Sequence, residues 1–453
     1  MPASPQAYRP ETRLLDLGPE LWDPVRAARF PQTVLRYRND RAAAEVGLDG
    51  LTDEEWLAHF GRFDPLPGAQ PEPLALRYHG HQFRAYNPDI GDGRGFTFAQ
   101  ARDRDGRLMD LGTKGSGQTA YSRFGDGRLT LKGGVREILA TEMLEALNVP
   151  TSRTFSLIET GEALERNDEP SPTRGAVMVR LSHGHIRIGT FQRLAYHQDE
   201  ATLRRLVGYV LRELYGEEPG EEPALRLLDL VLDRAARLAA RYMAAGFVHG
   251  VLNSDNINVT GESFDYGPWR FAPTWDVGFT AAYFDHAGLY AFGRQPEAIH
   301  WDAMQLAGSL RLLAESEPLI DLLERFGERF QRHVADALLW RLGLKPRGEA
   351  DDRALVQSLE RTLRATEVEL HRFFHDAFAQ ALPAAYGEEW AEFRALAAAY
   401  APRRERSAYF DGEPCGMLID EVEAIWAPIA EADDWGRLHA KVARVRAMGA
   451  ALA

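Results

Sequence analysis

The hydrophobic pattern divides the chain into a strand-rich first part and a helical second part. Between residues 76 and 200, short apolar stretches and Gly-rich turns predict strands, for example over Ala176–Leu181. After residue 200, apolar residues recur at helical spacing and predict helices over 201–216, 224–245, 301–315, 317–341, 352–381, 388–400 and 419–447. The pattern therefore predicts an α+β protein whose strands and helices lie in separate regions.

Changes in composition suggest where these regions begin and end. Residues 1–75 are Pro-rich, with one clear helix that the Thr52–Glu55 capping box opens. We predict an N-terminal extension (1–75), a strand-rich N-lobe (76–200), a helical C-lobe (201–400) and a C-terminal helical extension (401–453). A small strand-rich lobe before a larger helical lobe is typical of the bilobal protein-kinase fold.

Composition and charge mainly exclude classes of protein. The net charge of −14 argues against a nucleic-acid partner, which would favour a basic face. The single cysteine, Cys415, excludes an internal disulfide and a Cys-rich zinc site, and two His-Gly-His strings (79–81 and 183–185) lack further zinc ligands at a known spacing. Neither a signal peptide nor a membrane-spanning apolar run is found, so we expect a cytoplasmic protein without a membrane partner.

The stretch Phe247–Gly267 carries the candidate chemistry. It follows a long predicted helix and resembles a kinase catalytic loop, in which an Asn and a later Asp hold metal ions. Here Asn256 and Asp265 are predicted to meet across a short hairpin, and their oxygens suit Mg²⁺. The catalytic Asp of kinases is replaced by Val251. The loop therefore belongs either to a kinase-like protein without activity or to one that performs a different reaction.

A strand lysine and a helix glutamate form a second kinase-like pair. Leu111–Lys114 ends a predicted strand, and Val135–Leu144 predicts an amphipathic helix. In kinases such a lysine holds ATP phosphates and pairs with such a glutamate. We therefore predict an ion pair between Lys114 and Glu137.

Two Gly-Asp-Gly turns and two arginines are further candidates for phosphate binding. Gly91–Arg94 is predicted to be the turn of a hairpin, and Gly125–Arg128 repeats the motif. Gly-rich turns can bind phosphates through backbone N–H groups, although most of them are only turns. Arg180 on a predicted strand and Arg187 shortly after it could bind a polyphosphate, because guanidinium groups bind phosphates in a bidentate manner.

Taken in order, these strings resemble the selenoprotein O (SelO, or YdiU) family of kinase-like proteins. The matching strings lie between about residues 75 and 310: Tyr78–Phe83, Gly91–Arg94, Lys114–Gly117, Tyr121–Phe124, Asp126–Arg128, Arg136-Glu137, Pro150–Arg153, Arg180, Ile186-Arg187, His249-Gly250, Asn253–Asn256, Asp265–Pro268, Gly288–Tyr290, Gln295-Pro296 and Trp301. The activity known for this family is protein adenylylation, in which AMP passes from ATP to a Ser, Thr or Tyr hydroxyl of a protein. The nucleotide is thought to bind in the orientation opposite to that in kinases.

The resemblance implies a role for each matching residue. It implies metal ligation of Mg²⁺ or Mn²⁺ by Asn256 and Asp265, and a proton-acceptor role for Asp255, which would explain Val251. The expected partners are ATP and protein substrates, among them the chain itself. The nucleotide contacts that it implies are Gly91, Gly93, Arg94, Lys114, Asp126, Gly127, Arg180, Arg187 and Asp265.

The chain departs from the family pattern in three places. Arg84 stands where the family usually has Gly, Lys132–Gly134 replaces an Arg-Ser-Ser-like run, and the C-terminal end lacks a Cys-containing tail. Redox control by an internal disulfide is therefore not expected. The leading prediction is an ATP-dependent protein adenylyltransferase. The alternatives are a phosphotransferase and a pseudokinase that binds ATP without catalysis.

Overall fold

The computed structural model of the protein describes residues 7–167 and 169–453. Its strands are β1 Pro10–Glu11, β2 Trp22–Pro24, β3 Val34–Arg38, β4 Leu74–Leu76, β5 Gly80–Gln82, β6 Ala85–Asn87, β7 Thr97–Arg102, β8 Leu108–Lys114, β9 Leu129–Thr130, β10 Arg153–Leu164, β11 Thr173–Ser182, β12 Phe247–Val248 and β13 Arg270–Phe271. Its α-helices are α1 Asp40–Val46, α2 Asp53–Gly61, α3 Leu131–Ala146, α4 Ile188–Tyr196, α5 Glu200–Tyr209, α6 Pro223–Ala245, α7 Gln295–Leu310, α8 Ser316–Glu324, α9 Phe326–Leu342, α10 Glu349–Ala365, α11 Leu370–Ala377, α12 Ala391–Ala397, α13 Ile419–Ala432 and α14 Gly436–Leu452.

Strands from the first 182 residues form one large antiparallel sheet. Its order is β2-β4-β7-β8-β11-β10-β3, with β1 paired to β7 and β9 paired to β11. The central strand β8 is buried along its whole length, and its last residue, Lys114, lies opposite Met178 of β11. The sheet therefore places this lysine beside the strand that carries Arg180.

The side chains of β11 alternate between the two faces of the sheet. Val177 and Val179 pack with aromatic residues of α2 such as Trp56, whereas Ala176 and Met178 pack with α3. Because successive strand residues point to opposite faces, Arg180 lies on the same face as Met178. The arginine thus shares the α3 face of the sheet, and it is buried there.

The helices that periodicity predicts are present after residue 200. The helix α6 has proline in its first turn and ends at Gly246, which adopts the left-handed conformation (φ 68°) of a C-cap. Three predicted helices are each divided in two, at Arg325, at residues 366–369 and at residues 433–435. None of the helices in the described ranges is long and apolar enough to cross a lipid bilayer.

The structure contradicts both predicted hairpins. Gly91–Arg94 is a loop, since β6 before it pairs with β5, whereas β7 after it pairs with β1, β4 and β8. Between Asn256 and Asp265 the chain does not pair with itself: Asn258 bridges Arg187, and Ser263 bridges Thr151. Both patterns resembled local turns, but neighbouring segments satisfy the backbone groups of these loops.

The two ends of the chain pack against the sheet and its helix. Strands β1, β2 and β3 belong to the large sheet, and the predicted boundary at residue 75 falls inside β4. At the other end, α14 packs on α3, where Arg446 pairs with the buried Glu142 (Nη2–Oε1 2.6 Å). The α+β class is confirmed. The kinase-like bilobal arrangement and the four-part division remain predictions.

Candidate active site

A cleft of about 800 Å³ opens between the sheet and the loop that follows α6. Its walls come from the segments around Gly91–Gly95, Tyr121–Arg128 and Val251–Pro268, and from the ends of β8 and β11. All of the site residues named from the sequence line this one cleft: Gly91, Gly93, Arg94, Lys114, Asp126, Gly127, Arg180, Arg187, Asp255, Asn256 and Asp265. The structure therefore brings the set together, while the role of each member remains a prediction.

The predicted ion pair between β8 and α3 is present. Lys114 Nζ contacts a carboxylate oxygen of Glu137, and both side chains are almost fully buried (5% and 2% exposed). The lysine comes from the central strand, and the glutamate comes from the face of α3 that packs on the sheet. Since a buried charge is costly without a partner, this pair fixes the position of the Lys114 ammonium at the cleft.

Three cations converge on the carboxylate of Asp265. Arg180 Nη1 lies 2.6 Å from Oδ1, Arg187 Nη1 lies 3.1 Å from Oδ2, and Lys114 Nζ lies 3.5 Å from Oδ1. The side chains of the cations are 4–6% exposed, whereas that of Asp265 keeps 22% of its surface open. We call these four residues the cleft floor. The carboxylate thus faces the cleft, with the cations packed around it.

The electrostatics of the cleft floor hold Asp265 in its ionised form. Burial by itself would raise the pKa of this carboxyl, but the surrounding positive charges outweigh that effect and hold the pKa well below its usual range. Asp265 also has a left-handed backbone (φ 59°), which is uncommon for a residue with a side chain. Such an imposed conformation is typical of a functional position.

Arg187 ties the cleft floor to the loop that carries Asp255. It is the residue before α4, not a sheet residue, and its guanidinium donates to the backbone carbonyl of Asp255 (2.9 Å). The same group lies over the rings of Tyr78 (4.3 Å) and Phe264 (4.7 Å) and pairs with Asp92 (3.2 Å). The sequence prediction named both glycines beside Asp92 but missed the aspartate. The Gly-Asp-Gly string that contains Asp92 was the sequence signal that could have identified it.

Asp255 is a buried carboxyl with an unpaired oxygen. Its Oδ1 is buried and has no hydrogen-bond partner among the described residues. Burial raises the pKa of Asp255 to about 6, although the positive charge of Arg187 opposes the shift. The residue also lines the cleft, so this carboxyl is chemically available at neutral pH.

Asn256 and Asp265 supply oxygen atoms of the kind that Mg²⁺ or Mn²⁺ binds. The Asn256 amide nitrogen donates to the carbonyl of Val251 (3.1 Å), which fixes the amide and leaves its oxygen for another partner. The described residues include no group of three or more His, Cys, Asp or Glu side chains suited to a metal. Magnesium commonly takes one or two protein oxygens together with phosphate oxygens. The residues present therefore fit a nucleotide-bound divalent ion.

The two Gly-Asp-Gly loops pack on the segment between them. A Cβ atom on Gly91 would lie 2.5 Å from the ring of Tyr121, so only glycine allows this contact. In the second loop the carboxylate of Asp126 accepts from Arg166 (2.8 Å) and from the backbone of Arg128 (2.9 Å). Asp126 therefore stabilises the loop, while the exposed Arg94 carries the positive charge of the first loop.

Histidine residues support the cleft floor from behind. His185 Nδ1 lies 3.1 Å from Asp110 Oδ2, and its Nε2 accepts from Arg180 Nε (3.1 Å). Gly112 leaves space for this ring, since a Cβ there would lie 2.5 Å from it. The sequence prediction missed Asp110 and His185 because their contacts join separate strands and loops. The other His-Gly-His string, at 79–81, likewise makes hydrogen bonds to side chains, with Tyr86 and Gln192 as the partners.

The departure at Arg84 has a structural consequence. Arg84 adopts a left-handed conformation (φ 63°), which a glycine would adopt without strain. The arginine pairs with Glu297 (Nη2–Oε1 3.0 Å) and lies 5.4 Å from the centre of the Trp301 ring. In this chain Arg84, which stands where the family usually has glycine, therefore contacts α7.

Comparisons with known proteins agree with this arrangement. The sequence model of the family described as "Protein adenylyltransferase SelO" matches residues 6–397. A "Protein nucleotidyltransferase YdiU" of Synechocystis sp. is 41% identical over an alignment of 462 positions, gaps included, which covers 94% of this chain and 95% of the relative. Its namesake from Gloeobacter violaceus is 44% identical over an alignment of 472 positions, with 96% of this chain and 94% of the relative covered. Another, from Aeromonas salmonicida, is 36% identical over 351 residues, with 78% and 72% covered.

These matches confirm the family that the sequence strings indicated. The matched range includes both Gly-Asp-Gly loops, the ion pair of Lys114 and Glu137, and the loop from Asp255 to Asp265. The identities of about 40% extend over nearly the whole length of several relatives. The chain therefore belongs to the SelO family of protein adenylyltransferases, and it is a nucleotidyltransferase.

Proposed function

We propose that the chain transfers AMP from ATP to serine, threonine or tyrosine hydroxyls of proteins, including its own, and releases pyrophosphate. Membership of the family supports nucleotidyl transfer. The observation that carries the proposal is a buried carboxyl in the cleft with one unpaired oxygen. Asp255 supplies it beside the cleft floor, whereas the position of the kinase base is occupied by Val251.

The cleft floor would bind the phosphates of ATP. Arg180 and Arg187 present planar guanidinium groups with fixed charge, which match phosphate oxygens in pairs. Lys114 adds a point charge that Glu137 holds in place. Because these groups are buried and already positioned, they can stabilise the negative charge of the departing pyrophosphate without reorganisation.

Asn256 and Asp265 would hold Mg²⁺ or Mn²⁺. When bound, such an ion neutralises charge on the phosphates and makes the phosphorus more electrophilic. The chain's own contribution is the orientation of the two donors. Val251 fixes the amide of Asn256, and the cations of the cleft floor keep Asp265 ionised.

Asp255 would act as the proton acceptor. The acceptor hydroxyl oxygen forms a bond to the α-phosphorus, its proton passes to Asp255, and the bond from that phosphorus to the pyrophosphate oxygen breaks. With a pKa of about 6, the Asp255 carboxyl is largely ionised at pH 7 and is more basic than an exposed aspartate. A general base contributes about 10²–10⁴-fold to a rate.

A phosphotransferase is the second candidate function. The pair of Lys114 and Glu137, and the metal donors Asn256 and Asp265, also match the parts of a kinase site. Val251 counts against this candidate, because a valine cannot accept a proton from the substrate hydroxyl. A pseudokinase binds ATP without catalysis and would not need a proton acceptor such as the Asp255 carboxyl, which has one unpaired oxygen.

ATP labelled at a single phosphate separates these candidates. We expect label from the α-phosphate of ATP, supplied with Mg²⁺ or Mn²⁺, to become covalently attached to protein, with pyrophosphate as the co-product. Label from the γ-phosphate should stay in solution. Attachment of the γ-label with release of ADP would replace the proposal by a kinase, and ATP binding without attachment of either label would replace it by a pseudokinase.

A further inference from the structure

An aromatic cluster lies exposed beside the cleft. Seven large apolar side chains in the described ranges are exposed, and three of them are adjacent: Phe83 (39%), Tyr283 (80%) and Phe284 (43%). The ring centres of Phe83 and Phe284 are 5.8 Å apart, and those of Tyr283 and Phe284 are 5.1 Å apart. We call these three residues the aromatic platform. Contiguous exposed apolar side chains commonly mark an interaction site.

The aromatic platform is attached to the loop of the proposed base. The backbone N–H of Phe83 donates to Asn253 Oδ1 (3.0 Å), two residues before Asp255. The hydroxyl of Tyr290 donates to the same oxygen (2.7 Å), and its ring lies 5.0 Å from that of Phe83. One asparagine thus holds both Phe83 and Tyr290, the residue whose ring packs beside Phe83. A molecule bound on the platform would therefore lie close to Asp255.

A second attachment joins Tyr283 and Phe284 to the same loop. The segment at residues 281–282 packs on Gly250, where a Cβ atom would lie 3.0 Å from that of Ala281. Buried Asp285 accepts from the backbone of Leu289 (2.8 Å) and Tyr290 (2.8 Å), which closes the following turn. The aromatic platform is therefore preformed, with its rings open to solvent.

The backbone under the platform is held in an uncommon conformation. Phe83 and Arg84 are consecutive residues with left-handed backbones (φ 49° and 63°). A left-handed backbone is strained for a residue with a side chain and persists when its surroundings impose it. Here Asn253 and Glu297 hold the two residues in place. A strained turn that exposes a phenylalanine is more readily explained by binding than by packing.

An open groove continues from the platform. It has a volume of about 800 Å³, and Tyr283 is the platform residue that lines it. Small apolar side chains line part of it: Val277, Ala282, Ala287 and Ala291. An extended polypeptide could lie along such a groove, with one side chain on the aromatic rings and the next positions on the apolar wall.

We infer that the aromatic platform binds the acceptor polypeptide through an apolar or aromatic side chain near the modified hydroxyl. This inference rests on the proposed function, in which two substrates meet at Asp255. The cleft floor is cationic and suits the phosphates of ATP, whereas the platform is uncharged and suits a side chain. The second substrate is therefore the occupant. Preferred acceptors should carry Phe, Tyr, Leu or Met at a fixed distance from the Ser, Thr or Tyr that is modified.

A peptide array tests this substrate preference. Each peptide carries one serine in a background of glycine, alanine and lysine, and one neighbouring position at a time is changed to Phe, Tyr, Leu or Met. Transfer of α-label from ATP is measured for each peptide. With the wild-type chain we expect apolar residues at one neighbouring position to raise kcat/KM about tenfold over glycine. Phe284→Ala and Tyr283→Ala should remove this preference, whereas Phe284→Leu should retain part of it.

Two controls separate a docking effect from a folding effect. Ile320→Ala removes another exposed apolar side chain (52%), on α8, and should leave the preference unchanged. The affinity for ATP should be unchanged in all of these variants, because the platform contacts none of the cleft-floor side chains in the structure. An unchanged preference in both alanine variants, or no preference in the wild-type chain, would overturn the inference.

A binding measurement keeps the inference independent of the proposed function. Fluorescein-labelled peptides with phenylalanine or glycine at the selected position are titrated with the full chain, and polarisation is recorded. If no peptide accepts AMP, so that the array selects no position, the series with phenylalanine at each position in turn is used. Tighter binding of a phenylalanine peptide that Phe284→Ala abolishes would support the platform even if no AMP were transferred. Equal binding of both peptide types would reject it. Absence of transfer to every peptide and protein would reject only the adenylyltransferase proposal.

Discussion

The cleft floor and the aromatic platform both contact the loop that carries Asp255, and they differ in exposure and in charge. The cations of the floor are 4–6% exposed and form ion pairs, whereas the platform rings are 39–80% exposed and touch mainly one another. A buried charge that loses its partner costs several kcal/mol, whereas an exposed ring can be changed with little effect on stability. The floor is therefore suited to a constant ligand, such as a triphosphate, and the platform to a variable one.

The largest expected effect comes from removing the carboxylate at the centre of the cleft floor. Asp265→Ala should reduce transfer by at least about 10³-fold and remove the metal dependence of ATP binding. The measurement is a titration of ATP with and without Mg²⁺ into the folded variant. A variant with wild-type affinity and metal dependence would exclude Asp265 from the site.

Asp433→Ala is the matched control for that variant. Asp433 also has a left-handed backbone (φ 53°) and also pairs with two arginines, Arg174 (2.7 Å) and Arg36 (3.0 Å). It lies between α13 and α14, outside the residues that line the cleft. Its replacement should alter stability without changing transfer, which separates loss of a paired carboxylate from loss of the site.

The next effect concerns Asp255. Asp255→Asn should lower transfer by about 10²–10⁴-fold and leave ATP binding within a factor of about two. It should also stabilise the chain. Since the folded pKa is raised to about 6, the folded state binds more protons than the unfolded state between about pH 4 and 6, so stability falls as pH rises through that window. The variant removes this loss. Above pH 6 its free energy of unfolding should therefore exceed that of the wild-type chain by at most about 3 kcal/mol.

Urea unfolding at several pH values in EDTA measures that gain. Glu262→Gln is the control, because burial also raises the pKa of Glu262, a partly buried residue that does not line the cleft. Glu262→Gln should leave the transfer of AMP unchanged. If Asp255→Asn retained full transfer, the proton acceptor would have to be another group.

The ion pair behind the floor should give the third effect. Lys114→Ala should lower transfer about 10²-fold, Glu137→Ala somewhat less, and the double variant little more than Lys114→Ala alone. The physical reason is that Glu137 acts by holding Lys114. Steady-state kinetics of the three variants check the non-additivity, and losses that simply add would show that the two residues act separately.

An ion pair of a buried lysine outside the cleft is the control for these three variants. Lys441 Nζ lies 2.6 Å from Glu421 Oε1 and is 3% exposed, on the C-terminal helices. Lys441→Ala should lower stability as Lys114→Ala does, but it should leave the affinity for ATP unchanged. Weaker ATP binding in this variant would mean that the C-terminal helices take part in positioning the floor.

The smallest effect is expected under the platform. Arg84→Gly relieves the left-handed conformation but loses the ion pair with Glu297, in which both side chains are more than a third exposed. Solvent screening makes such a pair worth less than about 1 kcal/mol, so the two changes nearly cancel. The melting temperature and the ATP affinity should stay close to those of the wild-type chain. A tenfold loss of ATP affinity would show that the platform and the floor are one unit.

The helical half was predictable because its signals are local. Apolar spacing and Gly246 predicted α6 and its end, and a strand lysine and a helix glutamate predicted the pair of Lys114 and Glu137. The short strands before residue 75 were not predicted, because strands of two to five residues carry too little alternation of apolar and polar positions. They are strands only because a neighbouring strand is there to pair with them.

The family strings in the sequence named the candidate site residues, and all of these line one cleft, although Asp92, which also lines it, was missed. Only the tertiary structure decided how they act on one another. Asp265 receives three cations from β8, β11 and the start of α4, and Asp255 becomes a buried carboxyl with a raised pKa. The aromatic platform joins residues 83 and 283–284, which are far apart in sequence. Distances, burial and charge coupling depend on long-range packing, and no local pattern along a chain records them.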